Sequence, residues 1–566
     1  MMESVSRTKK VFLEQYEFLV PLVLFVLFLA LTLPGISWGA PSVWHPDEIV
    51  VRSINAVTGD YQFSEINFDY PDLPQYTMFF LGKIVLALGY GEGEMLIAAR
   101  VLSAVLAGLT VILAYVIARR IGGSVFIAGL SGLLLISVSE MSHNGRFAHN
   151  DTYLVFFTTL SVLCLLLYTR GSSNDFSRSA GATEVATTGQ NRIWLYASFL
   201  TVGMAASSKY IGGSLVLAPL AVYLVLQWRN VKKEWFSIAE TLFISAALAF
   251  LGFALGTPKA LTWMAFYFKR LFSTLEWQVN YGYQPDSVRG FIGQYGVMAN
   301  GLGLLLVLSF GVAFLWAVWR VTKSYRAKTL AQEPQTKSFA ILLLAILALD
   351  LPMMVSYNYQ LRYFLTLMPF LAILTAFFIA DLYQRAKATN KAAYPLAISM
   401  TVSAIILYSL ARILSLMLLV MNDARIPASA FMDTLPNGTS LEHTFYPPTL
   451  PSEHFERDHN YPVYFTRDPN ESLPTHQNYA FNVGETGLDD RETDYLVIDS
   501  FTAEKFENPY FCSAMPIECA FFQQLETGQT DHYKLLKEFE YTLPSYLPQI
   551  DFEFINPAIR IYERLP

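Results

Sequence analysis

Eleven stretches of this chain are apolar over lengths near the ~20 residues a helix needs to cross a hydrocarbon core. They lie at roughly 17–38, 95–118, 122–139, 150–168, 193–208, 211–227, 236–256, 296–319, 338–356, 363–383 and 394–420. Lipid offers no partners for backbone N–H and C=O groups, so such a chain is confined to helices that satisfy their own hydrogen bonds. The expected fold is a polytopic α-helical membrane protein with about eleven transmembrane helices. With 53% hydrophobic and 15% charged residues, the chain is too apolar for an ordinary soluble enzyme. The first stretch is long and has no clear small-residue cleavage site, so it reads as a retained anchor.

Lys and Arg in short loops set orientation. With the N-terminus in the cytoplasm, 19 of the 30 basic residues before residue 422 fall in cytoplasmic segments, among them Arg7, Lys9, Lys10, Arg119, Arg120, Arg229, Lys232 and Lys233. An odd number of crossings then places the C-terminal part outside. Residues 422–566 hold 24 Asp and Glu against 9 Lys and Arg, so an acidic tail follows a basic membrane body. Nothing resembles the basic, aromatic-interleaved face of a nucleic-acid binder.

Two external loops exceed simple connectors, 39–94 and 257–295. The first is expected to contain a helix from Pro46 to Val57, closed by Gly59, and an interfacial stretch from Tyr76 to Leu88. The second is rich in aromatic and basic residues, and 171–191 is Ser/Gly/Thr-rich and reads as a cytoplasmic loop. Residues 1–421 thus form a transmembrane domain with an external loop at 39–94. From about Asn422, short β-prone runs such as 438–441, 494–499 and 559–562 point to an extracytoplasmic α/β domain over 422–566, large enough for its own core. Asn437-Gly-Thr439 reads as a turn, and as a glycosylation acceptor only in a host that glycosylates. Within that domain Cys512 and Cys519 are close enough in sequence for a disulfide loop, with two free thiols as the alternative.

His45-Pro-Asp47-Glu48 follows the first span. Acidic residues after a Pro suit a helix start. At a lipid–water boundary they equally suit chemistry, with an ionised Asp47 as general base towards an acceptor hydroxyl. Arg146, Lys209 and Arg362 each lie at the external end of a span. Singly, each suits snorkelling. Jointly, with polar or aromatic neighbours including Asp151, Tyr210, Tyr357 and Tyr363, they suit a phosphate leaving group. Asp151 either orients Arg146 or caps its helix. His45, His143 and His149 have no recognised metal-ligand spacing, so a divalent metal is compatible but not called for and no cofactor is required. Asp350, inside a span, reads as a buried hydrogen-bonded group, or as part of a pathway if the protein is a transporter. A non-catalytic scaffold with an acidic tail is the third class. Walker, dinucleotide and Gly-x-Ser-x-Gly motifs are lacking.

Trp44-His-Pro-Asp-Glu48, Tyr70-Pro-Asp-Leu-Pro-Gln-Tyr76, Arg146 to Phe157, Ser207-Ser-Lys-Tyr210, Leu361-Arg-Tyr-Phe364 with Pro369, and Asn422-Asp-Ala-Arg-Ile-Pro427 together resemble the dolichyl-phosphate-mannose-protein mannosyltransferase family, glycosyltransferase family 39, within the membrane glycosyltransferase class C superfamily. The resemblance implies an integral protein of a plasma or endoplasmic reticulum membrane that transfers a sugar, with inversion, from a polyprenyl-phosphate donor on the external face. It implies catalysis by Asp47 with Glu48 beside it. Lys209, Arg362 and Arg146 would hold the lipid phosphate, supported by His45, Asp151, Tyr210, Tyr357 and Tyr363. The C-terminal part does not look like the β-trefoil of eukaryotic members, and a Trp-Trp-Asp motif is not found. Protein, lipid and glycan acceptors therefore stay open.

Overall fold

A computed structural model describes residues 17–59, 70–174, 184–280, 288–389, 391–451, 455–460, 485, 488, 492–552 and 554–566. Arg7, Lys9 and Lys10 and part of the 171–191 segment lie outside the described residues. The chain divides into two compact units: Met1–Ile36 with Glu48–Leu414, and Ser37–Asp47 with Ser415–Pro566.

The first unit is helical. Its helices are α1 (Leu19–Thr32), α2 (Val50–Thr58), α3 (Leu73–Ala87), α4 (Glu92–Arg120), α5 (Val125–Ile136), α6 (Ser139–Gly145), α7 (Asp151–Asn174), α8 (Glu184–Ser208) and α9 (Leu217–Gln227). They continue as α10 (Val231–Gly256), α11 (Lys259–Thr262), α12 (Met264–Asn280), α13 (Gly290–Leu302), α14 (Leu304–Arg326), α15 (Pro334–Val355), α16 (Met368–Ala388) and α17 (Ala393–Met421), the last running across the unit boundary. Among the described residues, eight helical segments are long and apolar enough to cross a membrane, or up to nine if α5 and α6, bent by 64°, form one broken span. The protein is an integral membrane protein. Three of the expected stretches, at 17–38, 122–139 and 193–208, are not among the eight. Helix α1 has only 14 residues, and residues 193–208 are the C-terminal part of α8. The stretch expected at 296–319 is cut at Gly303, whose φ of +89° ends α13 and begins α14. Its broken end is not left bare. Arg412 of α17 donates to the carbonyls of Asn300 and Gly301, and Ser139 donates to Gly301 as well.

Two further breaks carry Lys209 and Arg362. Lys209 is an extended residue (φ −156°, ψ 134°) between α8 and a 3₁₀ turn, Tyr210–Val216. Gln360 is likewise extended before the 3₁₀ turn Leu361–Leu367, which carries Arg362 and Tyr363.

The loop after α1 departs from expectation. Helix α2 starts at Val50, not at Pro46, and has no acidic residue in its first turn. Asp47 and Glu48 therefore do not cap a helix. Its C-terminus at Gly59, φ +103°, is as expected, and the apolar stretch expected at 76–88 is α3.

In the second unit a mixed five-stranded sheet has the order β2-β1-β3-β5-β4, with β1 at Thr439–His443, β2 at Phe455–Asn460, β3 at Tyr495–Asp499, β4 at Tyr533–Phe539 and β5 at Ile559–Arg564. β1 runs parallel to β2 and β3, and β5 runs antiparallel to β3 and β4. Leu496 and Ile498 of β3 pack with Phe506, Phe521 and Phe522, while Val497 packs with Leu441, Ile559 and Met432. That alternation is the period-two signature of a strand buried on both faces. Cys512 and Cys519 form a disulfide, Cα–Cα 5.0 Å.

Helices α8 and α10 pack backbone to backbone. A Cβ at Gly203 would lie 2.0 Å from the Ala249 carbonyl oxygen, and one at Gly252 would lie 2.2 Å from that of Leu200. Small residues allow such approach where lipid supplies no hydrophobic drive. Gly252→Leu is expected to separate the pair and lower the melting temperature in detergent, whereas a leucine at Gly311, which has open space around it, should leave it unchanged.

Candidate active site

Arg100 sits fully buried near the start of α4. Its Nε and Nη2 donate to the two carboxylate oxygens of Glu48 at 2.8 and 2.7 Å, and Nη1 donates to the Ile36 carbonyl at 3.0 Å. Glu48 also accepts the Ala148 N–H at 2.9 Å. Planar guanidinium against planar carboxylate is the strongest of the charge-assisted pairings. Glu48 is thus an anchor, tying the segment ahead of α2 to α4 and to the strap before α7.

A second acid–base group assembles at the two helix breaks. Lys209 Nζ donates to Asp151 at 2.7 Å and lies 4.4 Å from the centre of the Tyr363 ring. Asp151, the first residue of α7, also pairs with His149 Nδ1 at 2.8 Å. Arg362 sits over the same Tyr363 ring at 5.6 Å and is near enough to act electrostatically on His149. Burial pulls the His149 imidazole below its ordinary value; Asp151 opposes this, and the positive charges of Arg362 and Lys209 add to it. Sequence expectation had Asp151 either orienting Arg146 or capping its helix; it stands at the start of α7 and pairs with Lys209 and His149.

The Tyr210 hydroxyl meets that of Tyr267 at 2.8 Å. The strap before α3 passes close by, with the Tyr70 ring edge-on to His149 at 6.2 Å. Two residues further on, buried Asp72 accepts from Lys259 at 3.3 Å, and its backbone N–H donates to Thr257 at 3.2 Å. Burial pushes the Asp72 carboxyl up to about 6, with Lys259 pulling the other way.

Arg146 is not brought into this group. Its guanidinium donates to the carbonyl and hydroxyl of Ser142 in α6 and to the Leu31 carbonyl of α1. It holds the bent α5–α6 segment against α1. Tyr357 carries the Arg289 guanidinium on its ring at 4.9 Å. Asp350 of α15 is buried and bonded to Gln294 of α13.

In the second unit, the Asp47 N–H donates to His45 Nδ1 at 3.2 Å, and the His45 ring lies edge-on to Phe554 at 5.1 Å. The same segment is clamped by Asp423 and Arg425. Asp423 accepts from Trp38 Nε1 at 2.9 Å and from Arg425 Nη2 at 2.8 Å, and the Arg425 guanidinium lies against the rings of Trp38 and Trp44 at 4.9 and 4.7 Å.

Comparison with known proteins draws these observations together. Residues 86–272 match the family described as Dolichyl-phosphate-mannose-protein mannosyltransferase. The matched segment carries Arg100, Arg146, Asp151, Lys209 and Tyr210. The chain is 26% identical over 222 residues to Dolichyl-phosphate-mannose--protein mannosyltransferase 1 of Saccharomyces cerevisiae, covering 38% of this chain and 22% of that one. It is 24% identical over 221 residues to Undecaprenyl phosphate-alpha-4-amino-4-deoxy-L-arabinose arabinosyl transferase 2 of Pseudomonas fluorescens, covering 38% of this chain and 35% of that one. The matches thus span about a fifth to a third of those relatives' lengths. In fold, the chain resembles the Archaeoglobus fulgidus oligosaccharyltransferase in its apo form, with a TM-score of 0.56, 11% identity, and coverage of 98% of this chain and 89% of that one.

The sequence reading did not single out Arg100, His149 as a partner of Asp151, Asp72 with Lys259, or Tyr267. The signal for Arg100 was present, since a charge inside an apolar span is a site hypothesis by default. Asp72 lay within a quoted motif, but its partner is 187 residues away. Arg100→Met, which strands Glu48, is expected to cost about 3–5 kcal/mol, and Arg100→Met with Glu48→Leu to recover much of that. Melting of the purified single and double variants checks it.

Proposed function

We propose that this protein is an inverting glycosyltransferase that moves a sugar from a polyprenyl-phosphate-linked donor to an external acceptor, with Asp47 as the general base. The observation that carries the reading is the mannosyltransferase-family match over residues 86–272, which contains one half of the Lys209–Asp151–Arg362–Tyr363 group. In this reading the acceptor oxygen attacks the sugar's anomeric carbon as the bond from that carbon to the phosphate oxygen breaks. Asp47 takes the acceptor's proton, and the departing polyprenyl phosphate keeps the electron pair of the broken bond. Lys209 and Arg362 stabilise the charge that gathers there. Asp151 and the Tyr363 ring hold the ammonium in place, so little side-chain freedom is lost when phosphate arrives. Arg146 acts at a distance by fixing α6 against α1. The reaction as written requires no cofactor, and a divalent metal is compatible with it.

The charge asymmetry of the loops supports a cytoplasmic N-terminus, with residues 39–94 and 422–566 on the outer face of a plasma or endoplasmic reticulum membrane. Chemistry at a lipid carrier suits the helix breaks at Lys209 and Gln360.

Asp47→Asn is expected to lower sugar transfer from purified lipid-linked donors by about 10²–10⁴-fold, the usual worth of a general base, without changing the melting temperature. Full activity in that variant rules out Asp47 as the base. Lys209→Met should weaken binding of the polyprenyl phosphate itself, read as loss of ligand-induced thermal stabilisation.

A further inference from the structure

Asp72 stands in the N-cap position of α3 and does not cap it. An aspartate there ordinarily accepts the N–H of the second or third helical residue. The second is Pro74, which has none, and no side-chain bond reaches the N–H of Gln75. The carboxyl turns instead to Lys259, which donates to Oδ1 at 3.3 Å, while Oδ2 has no partner among the described residues. Asp72 is 1% exposed, so that oxygen has lost water and gained nothing in return.

Two unused donors accompany it. The side-chain nitrogen of buried Gln75 has no acceptor among the described residues, and neither has the buried Nη1 of Arg52 in α2. The three groups are neighbours. Side chains at the N-cap and three residues on lie together at a helix start, the Ser53 hydroxyl donates to the Gln75 carbonyl at 2.8 Å, and the Arg52 charge is near enough to act on the Asp72 carboxyl. They also adjoin the cations of the candidate site. The Asp72 N–H donates to Thr257, whose hydroxyl meets that of Ser207 at 2.7 Å, two residues before Lys209. Tyr267 feels the Asp72 charge and shares its hydroxyl with Tyr210, the residue after Lys209.

Charge selects what completes such a set. An ammonium group would meet Lys259 and Arg52, and a carboxylate would meet the spare oxygen of Asp72, so either charged group is opposed by one member of the set. A hydroxyl suits all of them. Its O–H donates to Asp72 while its lone pairs accept from Gln75 and Arg52, and two hydroxyls on adjacent ring carbons use one acceptor and two donors at once.

We infer that Asp72, Gln75 and Arg52 form the subsite for the sugar being transferred and select an uncharged ring with neighbouring hydroxyls over an amino sugar or a uronic acid; the inference rests on the glycosyl-transfer reading. The probes are phosphodiesters of one short polyprenol carrying mannose, glucose, 4-amino-4-deoxyarabinose or glucuronic acid, with the methyl diester as a sugar-free control of equal phosphate charge. They are titrated calorimetrically against the full-length protein in nanodiscs, without acceptor. At least one neutral-sugar diester is expected to bind about tenfold tighter than the methyl diester and both charged-sugar diesters. Asp72→Asn and Gln75→Leu are each expected to remove about tenfold of that affinity and to leave the methyl diester bound as before. Asp72→Asn strips Lys259 of its charge partner; where it fails to fold, Gln75→Leu, whose side-chain nitrogen has no bond to lose, carries the test.

Neutral-sugar diesters that bind no tighter than the methyl diester leave these atoms to ordinary buried water and overturn the inference. So does an amino-sugar or uronic-acid diester bound as tightly as the neutral ones, or a preference unchanged in folded Gln75→Leu. Equal weakening of every diester, the methyl one included, makes the residues structural and overturns it as well. Sugar transfer from a charged-sugar donor sinks the inference but keeps the glycosyltransferase reading. Sugar selectivity that disappears in the variants, in a protein that transfers none of these sugars to any acceptor, leaves the subsite standing and defeats that reading instead.

Discussion

The pairing of Arg100 with Glu48 is the interaction on which the helical unit's site depends. A guanidinium at the head of a membrane helix is tolerable only with its charge matched and its N–H groups accepted, and here a bidentate carboxylate and the Ile36 carbonyl do both. Glu48 spends a lone pair on the Ala148 N–H as well, so one ion pair joins the end of α1, the entry to α2, helix α4 and the strap that leads to His149 and Asp151. Removing either partner leaves the other charge buried. The carboxylate next to the candidate base is therefore fixed by necessity.

Much of the architecture was legible because its signals are local. Apolar runs marked the helices, and the strands near 439, 495 and 559 announced themselves by short β-branched segments between turns. Gly59 ended its helix where a left-handed residue was required. What escaped was decided by distant partners. Pro46 looked like a helix start, but His45 and Asp47 bond to each other through the Asp47 N–H, and the helix waits until Val50. The apolar run at 296–319 looked continuous, yet Gly303 and the carbonyl acceptors met by Arg412 break it.

The candidate site shows the same division. Lys209 and Arg362 were recognisable as cations near span ends, and they do share the Tyr363 ring. Arg146 carried an identical sequence signal. Only three-dimensional context separates it, because both its terminal nitrogens donate to Ser142 and Leu31. Asp350 likewise resembles a transport residue by position; it is buried beside Gln294, with its Oδ1 unpartnered among the described residues.

The division of the chain has a consequence for biosynthesis. The segment bearing Asp47 folds with residues from Ser415 onward, and Trp38 finds its acceptor in Asp423, 385 positions later. At translation rates of about 5–20 residues per second, the early segment stays without its permanent partners for roughly 20 to 80 s. Nascent chains interrupted before that point would carry Trp38 without its acceptor Asp423.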